Sequence, residues 1–406
     1  MKFASVYIIQ DDIVKKNIME KMDYIIVGVM LLLSLSCCIS EALARNCTRV
    51  LMVLTVFRCV MEPAILVKLK HAKSILYSML AFFSAMIISA VYGGHFFELI
   101  NENVFWYQYS ALLLPVCLLC VKSLKHVRVF LYGIFVSMLL TDMYIFYQTY
   151  NGVFRPSALL TLGVMTATVL KMVVLPAMVA MIFDKAITLM EQSLLILATC
   201  ISVAGLICLN TRGGWIAFFP VGLLILLYLV QGWKRKIAML ATCCLVSFLI
   251  LASFPSVFVR VDSIVHSESQ QSATERKLMW ESAYKMGMDN PVLGVGKGNY
   301  AYKYQHEYIS PLAKEPNQVH AHSNFFQMFG ENGFLGLSTY CIMMASFLLW
   351  GWKYRKNVFG VIMLGTTIAF VLYGVTDYTL ATYGGMRVYW LLMGLCVTSL
   401  CLDESV

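Results

Sequence analysis

LTLGVMTATVLKMVVLPAMVAMIF, residues 160–183, places 24 residues around a single charge, Lys171. A helix satisfies its backbone N–H and C=O groups internally, so about 20 consecutive apolar residues suffice to cross the hydrocarbon core of a bilayer. Working outward from this run, the same criterion marks further spans near 24–42, 48–67, 74–93, 104–121, 127–146, 192–209, 214–231, 237–254, 333–351, 357–375 and 388–402. Composition agrees: 60% of the chain is hydrophobic and 13% charged, with a mean hydropathy of +0.75. A soluble domain carries about 25% charged residues. The expected fold is an all-α polytopic membrane protein of about twelve transmembrane helices. Residues 1–406 form one membrane domain, with one large outward-facing loop, 255–321, between spans nine and ten. The polar lead runs straight into a full-length first span, so no cleavable signal peptide is expected.

Basic residues orient the spans. Lys68, Lys70 and Lys73, Lys122, Lys125 and Arg128, Lys185, Lys234 to Lys236, and Lys353, Arg355 and Lys356 all fall on alternate connections. With Lys15, Lys16 and Lys21 ahead of the first span, both termini are expected in the cytoplasm and the 255–321 loop outside. The net charge of +9 reflects this bias; it gives no reason to expect nucleic acid as a partner. Most of the thirteen cysteines sit inside spans and none lies in the loop, so they read as small apolar packing residues.

Within the loop, Ser272-Ala-Thr-Glu275 has the form of a capping box. A helix is expected over about 273–288, ending before Asn290-Pro291 because proline disfavours helix at the preceding residue. Arg276, Trp280, Ala283 and Gly287 would share one face of it. Gly294-Val-Gly-Lys-Gly298 reads as turn chemistry, lacking the Gly-Lys-Ser/Thr of a phosphate loop. A short helix from His322 should reach Gly330, and Gly333 opens the tenth span.

Several residues carry chemistry. Arg212, in Asn-Thr-Arg-Gly-Gly-Trp (210–215), sits at membrane depth, where a guanidinium is costly unless it has work or a partner. Its fork suits phosphate oxygens; the competing reading is an interfacial arginine whose charge reaches water beside Trp215. Arg276, taken alone, reads as a solvated charge. Arg58 is expected to pair with Glu62 one turn on, whereas Lys171 has no partner on its own helix and would face a central cavity. His320 and His322 titrate near neutrality and could accept a proton from a hydroxyl; at this spacing they match no standard zinc site. Trp280 and Tyr300, Tyr302, Tyr304 and Tyr308 suit either sugar stacking or the membrane interface. No Asp-x-Asp or Glu-x-Glu stands on an outward connection, so a divalent-metal-dependent glycosyltransferase is not expected, and no metal or other cofactor is assigned.

Four motifs in order, Thr-Arg-Gly-Gly-Trp (211–215), Glu-Arg-Lys-Leu-Met-Trp (275–280), Asp-Asn-Pro-Val-Leu-Gly-Val-Gly (289–296) and His-Ser-Asn-Phe-Phe-Gln-Met-Phe-Gly-Glu-Asn-Gly-Phe-Leu-Gly-Leu (322–337), resemble the O-antigen ligase-like family of bacterial inner-membrane proteins. The resemblance covers about 190–340. It implies a glycan donor on undecaprenyl pyrophosphate, Arg212 and Arg276 as pyrophosphate ligands, and His322 as the base that activates an acceptor hydroxyl. It further implies inverting transfer without metal or nucleotide, at the periplasmic face of the inner membrane. Ser323 stands between His322 and Asn324 where many members have His-Asn, which leaves the role of Asn324 open. His320, Asn324, Trp280 and Lys171 are further candidates for substrate contact.

The leading functional expectation is an O-antigen ligase delivering glycan to the lipid A–core saccharide. A polysaccharide polymerase, or a protein O-oligosaccharyltransferase, would use the same donor. The single large outward loop favours the ligase. A transporter or lipid flippase would account for the spans and Lys171 but not for the loop motifs, and no Gly/Pro-broken spans recur in matching halves.

Overall fold

The computed structural model describes residues 2–94, 109–159, 163–238, 241 and 271–404, with side chains described from residue 16 onward. Among the described residues every regular element is helical. Eight helices there are long and apolar enough to cross a membrane: Pro63–Tyr92, Leu124–Tyr150, Val164–Met181, Leu189–Cys208, Arg212–Leu229, Asn324–Lys353, Val358–Thr376 and Tyr383–Asp403. Of the twelve expected spans, eight qualify among the described residues. The span expected at 237–254 lies almost wholly outside the described residues, as does the start of 104–121, of which Ser110–Cys120 is seen as a short apolar helix.

The first two expected spans are helical but too charged to qualify. Helix α1 (Lys2–Ser36) carries Glu20, Lys21 and Asp23, and α2 (Glu41–Met61) carries Glu41, Arg45, Arg49 and Arg58. The run read as 48–67 breaks at Glu62-Pro63. Proline lacks the N–H that would continue the ladder and disfavours helix at Glu62, so a 3-10 segment, Pro63–Ala72, starts afresh and runs into α3 (Lys73–Tyr92). Arg58 reaches Glu62 as expected, at 3.9 Å, but its shorter contact is Asp23 on α1 at 2.6 Å.

The remaining helices are α4 (Leu113–Cys120), α5 (Leu124–Tyr150), α6 (Val164–Met181), α7 (Leu189–Cys208), α8 (Arg212–Leu229), α9 (Gln271–Asp289), α10 (Asn324–Lys353), α11 (Val358–Thr376) and α12 (Tyr383–Glu404). Helices α6 and α12 form the centre, with 83% and 89% of their apolar windows buried, whereas only 33% of the α10 window is buried. Helix α6 packs on α5, α7, α8, α11 and α12. Helix α10 is flanked by α3, α9 and α11.

Lys171 corrects its expectation. It has no exposed surface, and its ammonium is taken by Asp142 of α5 and by the Ser202 carbonyl at 2.9 Å. Ser202 Oγ donates to the other Asp142 oxygen at 2.5 Å. A buried cation is held by a partner of opposite charge and hydrogen bonds, so this one cross-links α5, α6 and α7 and faces no open cavity.

The loop folds as its glycines require. Gly294, Gly296 and Gly298 all have positive φ, which side-chain-bearing residues rarely adopt. Helix α10 is interrupted at Gly333 (φ 62°, ψ −160°). The turn fills that break: Val295 and Gly296 donate to the carbonyls of Gly330 (2.9 Å) and Glu331 (3.0 Å), and Phe334 donates back to Pro291 at 2.7 Å. Helix α9 lies along the first half of α10. Ala283 is fully buried against Gly330, and a Cβ at Gly287 would overlap the Phe329 ring, so the expected Arg276–Gly287 face is the interface. The capping box does not form. Ser272 instead accepts from Arg212 at 3.1 Å, and Glu275 accepts the backbone N–H groups of Lys314 and Glu315 at 3.0 and 3.4 Å.

Candidate active site

Five chain segments meet at one end of the bundle: residues 154–155 after α5, the α7–α8 turn, the start of α9, the 320–324 turn, and 377–382 after α11. The basic connections, including Lys122 bound to Asp23 and Arg128 bound to Asp184, lie at the opposite end.

Arg212 begins α8. Asn210 just before it sits at φ 52° and donates to the Phe154 carbonyl at 2.8 Å, drawing Arg155 to the same place. Asparagine tolerates this left-handed conformation better than most residues. Gly213 and Gly214 are small for a reason: a Cβ would meet Thr376 Oγ1 at 2.8 Å or Thr168 Cγ2 at 2.6 Å. Arg212 therefore sits close against the end of α11. Arg276 and Arg155 both act electrostatically on it. Three guanidiniums thus converge, two of them named by the sequence motifs and one, Arg155, not. They are the groups here suited to hold a polyanion.

His322 stands at φ 48°, an uncommon conformation for a residue with a side chain. That backbone turns its ring toward Asp377, whose Oδ1 lies 3.3 Å from Nδ1; the two side chains are 23% and 7% exposed. Tyr373 donates to the second Asp377 oxygen at 2.9 Å, and the Tyr378 N–H donates to Oδ1 at 3.0 Å. Burial pushes the Asp377 carboxyl up, but the His322 hydrogen bond and the Arg276 charge outweigh it and hold it below the usual carboxylate range. An ionised carboxylate against Nδ1 fixes the tautomer with Nδ1 protonated and leaves Nε2 free to accept a proton. Neither Asp377 nor Tyr373 stood out in the sequence.

The other candidates separate. Asn324 is fully buried and ties α10 to the following turn, donating to Thr379 Oγ1 at 2.7 Å and Tyr340 Oη at 3.1 Å and accepting from the Leu380 N–H. Its contacts are those of a scaffold residue. Trp280 stacks on Phe326 with centroids 5.3 Å apart, one helical turn from Arg276, beside an open cleft that Lys277, Glu281 and Tyr284 also line. His320 meets the His322 ring edge-on at 4.2 Å. Burial, then the His322 charge, pulls its pKa down to about 4, so it is neutral at working pH. Lys171 is enclosed elsewhere in the bundle, as described above. Among the described residues no group of three His, Cys, Asp or Glu side chains is placed to hold a metal ion.

The described residues thus form an all-helical, multi-pass bundle with this cluster at one end. Residues 197–341 match the family described as O-antigen ligase, so this segment of the chain resembles a domain of that family. The matched segment runs from α7 to α10 and includes Arg212, Arg276 and His322, while Arg155 and Asp377 lie outside it. No curated protein matches the chain.

Proposed function

We propose that this protein transfers a glycan from undecaprenyl pyrophosphate to a hydroxyl of the lipid A–core saccharide, at the periplasmic face of the bacterial inner membrane. The observation that carries the reading is the junction of the arginine cluster with the His322–Asp377 pair. Arg212 and Arg276, joined by Arg155, grip the donor pyrophosphate. The acceptor hydroxyl gives its proton to His322 Nε2 while its oxygen attacks the anomeric carbon from the face opposite the leaving group. The bond from that carbon to the phosphate oxygen breaks, and undecaprenyl pyrophosphate departs with the electron pair, stabilised by the guanidiniums. Configuration at the anomeric carbon inverts. The leaving group is already activated, so charge neutralisation and positioning supply most of the acceleration.

The basic connections at the opposite end support a periplasmic site, because the positive-inside rule favours a cytoplasmic position for them. Purified protein incubated with undecaprenyl-pyrophosphate glycan and lipid A–core should yield glycan on the core. Lengthened lipid-linked glycan would mean a polymerase, and glycan on a protein hydroxyl an O-oligosaccharyltransferase. Donor left unconsumed with every acceptor would sink the transferase reading.

A further inference from the structure

The histidine turn closes one end of a cavity of about 250 Å³ between α3 and α12. It is polar at the turn, where His320, Gln327, Glu331 and Lys297 line it, and apolar in its depth, where Phe82, Phe83, Met86, Met386 and Trp390 do. Trp390 lies seven residues inside α12, which at 1.5 Å per residue is about 10 Å down the span. Polar head and apolar floor thus follow the membrane normal.

Its charge differs from that of the arginine cluster. Lys297 is buried and neutralised by Glu331 at 2.5 Å, with the Tyr378 hydroxyl 3.3 Å away. Burial alone would lower the lysine pKa, but the Glu331 carboxylate beside it outweighs burial and raises it, so the ammonium keeps its charge against that partner. Glu331 is fixed further by the Gly298 N–H at 3.1 Å, and Ser89 of α3 binds its carbonyl at 2.9 Å. A site with cancelled charge offers hydrogen bonds and no attraction to an anion. The ring of His320, neutral and half-buried, lines the cavity beside Gln327.

We infer that this cleft seats the acceptor: an uncharged, hydroxyl-bearing saccharide head at His320, Gln327 and the Lys297–Glu331 pair, with the start of its hydrocarbon anchor against Phe82, Phe83 and Met86. The inference rests on the transferase reading above and adds to it where the second substrate lies and of what class it is. Its chemistry selects a glycolipid over a protein hydroxyl, because an extended peptide would have no use for an apolar floor at membrane depth. The volume falls just under the ~300 Å³ at which ligand pockets begin, so the cleft holds the reacting sugar and the start of its anchor while the rest stays outside.

Two measurements on the full chain in nanodiscs test this. Ala381→Phe, which fills the cleft beside Leu380, should raise the KM for rough lipopolysaccharide (lipid A–core) at least tenfold and leave the KM for undecaprenyl-pyrophosphate glycan unchanged. An unchanged acceptor KM, or a raised donor KM, would overturn the assignment. In the second, a photoreactive phenylalanine analogue replaces Phe83 and, separately, Ser272. Capture of rough lipopolysaccharide at 83 and of the donor at 272 is expected. Capture of the donor at 83, or of neither lipid at 83 while 272 still captures donor and transfer proceeds, would overturn the cleft assignment and leave the transferase reading intact. Wild-type protein that consumes no donor and captures none at 272 would instead remove the parent reading.

Discussion

His322 Nδ1 lies 3.3 Å from Asp377 Oδ1, although fifty-five positions separate the two residues in the chain. The carboxylate also accepts from Tyr373 and from the Tyr378 backbone, so the imidazole meets a fixed partner. Asp377→Asn keeps the shape but removes the charge that holds Nδ1 protonated. Transfer should fall ~10²–10⁴-fold, the usual range for losing general-base assistance. The fall should lie in kcat with donor KM little changed, and the pH–rate profile should shift. His322→Ala should lose a similar amount. Steady-state kinetics on both variants check this, and full activity in either would remove the pair from the mechanism.

Arginine at 212 and 276 is expected to be irreplaceable by lysine. A lysine ammonium is a point charge and cannot bind two phosphate oxygens in a planar fork. Arg212→Lys and Arg276→Lys should each weaken donor binding by about tenfold or more, with alanine worse. Arg155→Ala should have a smaller effect of the same kind, since Arg155 is exposed at the rim of the cluster. Donor titration by native mass spectrometry or filter binding reads all three.

His320 makes the loop acid-sensitive. Its pKa falls from an ordinary value near 6.5 to about 4 in the folded chain, so the unfolded state binds the proton more readily. Stability from this residue is therefore complete above about pH 6.5 and declines as pH drops toward 4. Thermal unfolding followed at pH 7, 6, 5 and 4 should show the decline, and His320→Gln should flatten the slope between 6.5 and 4. A slope unchanged in that variant would assign the acid sensitivity elsewhere.

The ion pair of Lys171 and Asp142 should behave as a structural unit. Lys171→Met alone strands a buried carboxylate and is expected to cost roughly 3–5 kcal/mol. Pairing it with Asp142→Leu should recover most of the loss, because two well-packed apolar side chains can replace a buried pair at little net cost. Transfer activity in the double variant should stay within a few-fold of wild type. An inactive but fully stable double variant would return Lys171 to the list of substrate contacts.

Much of this was legible in the chain. Spans with no more than two charges read correctly to within a few residues, because hydrophobic length is a one-dimensional property. The break at Gly333 and the turn at Gly294–Gly298 were visible as glycine clusters, though nothing local says that one fills the other. Three of the site's groups, Arg212, Arg276 and His322, lie in recognisable motifs. Asp377 escaped because its meaning depends on a contact fifty-five residues away. The signal that could have found it is a lone carboxylate in Gly-Val-Thr-Asp-Tyr-Thr between two apolar runs, which is costly there without a partner. Asp142 went unnoticed for the same reason: an acid in span five was the missing counterpart of Lys171, and pairing intramembrane charges of opposite sign would have joined them. The capping box failed because Ser272 and Glu275 had stronger offers from Arg212 and the 314–315 backbone.

The order in which the groups leave the ribosome has a consequence for safety in the cell. Arg155 and Arg212 emerge first, then Arg276, then His322, and its carboxylate Asp377 only after two further helices, α10 and α11. On the proposed function, a nascent chain halted between Arg276 and Asp377 would hold all three guanidiniums without the carboxylate that orients the base. Such half-made copies would then occupy carrier lipid without passing its cargo to stray hydroxyls.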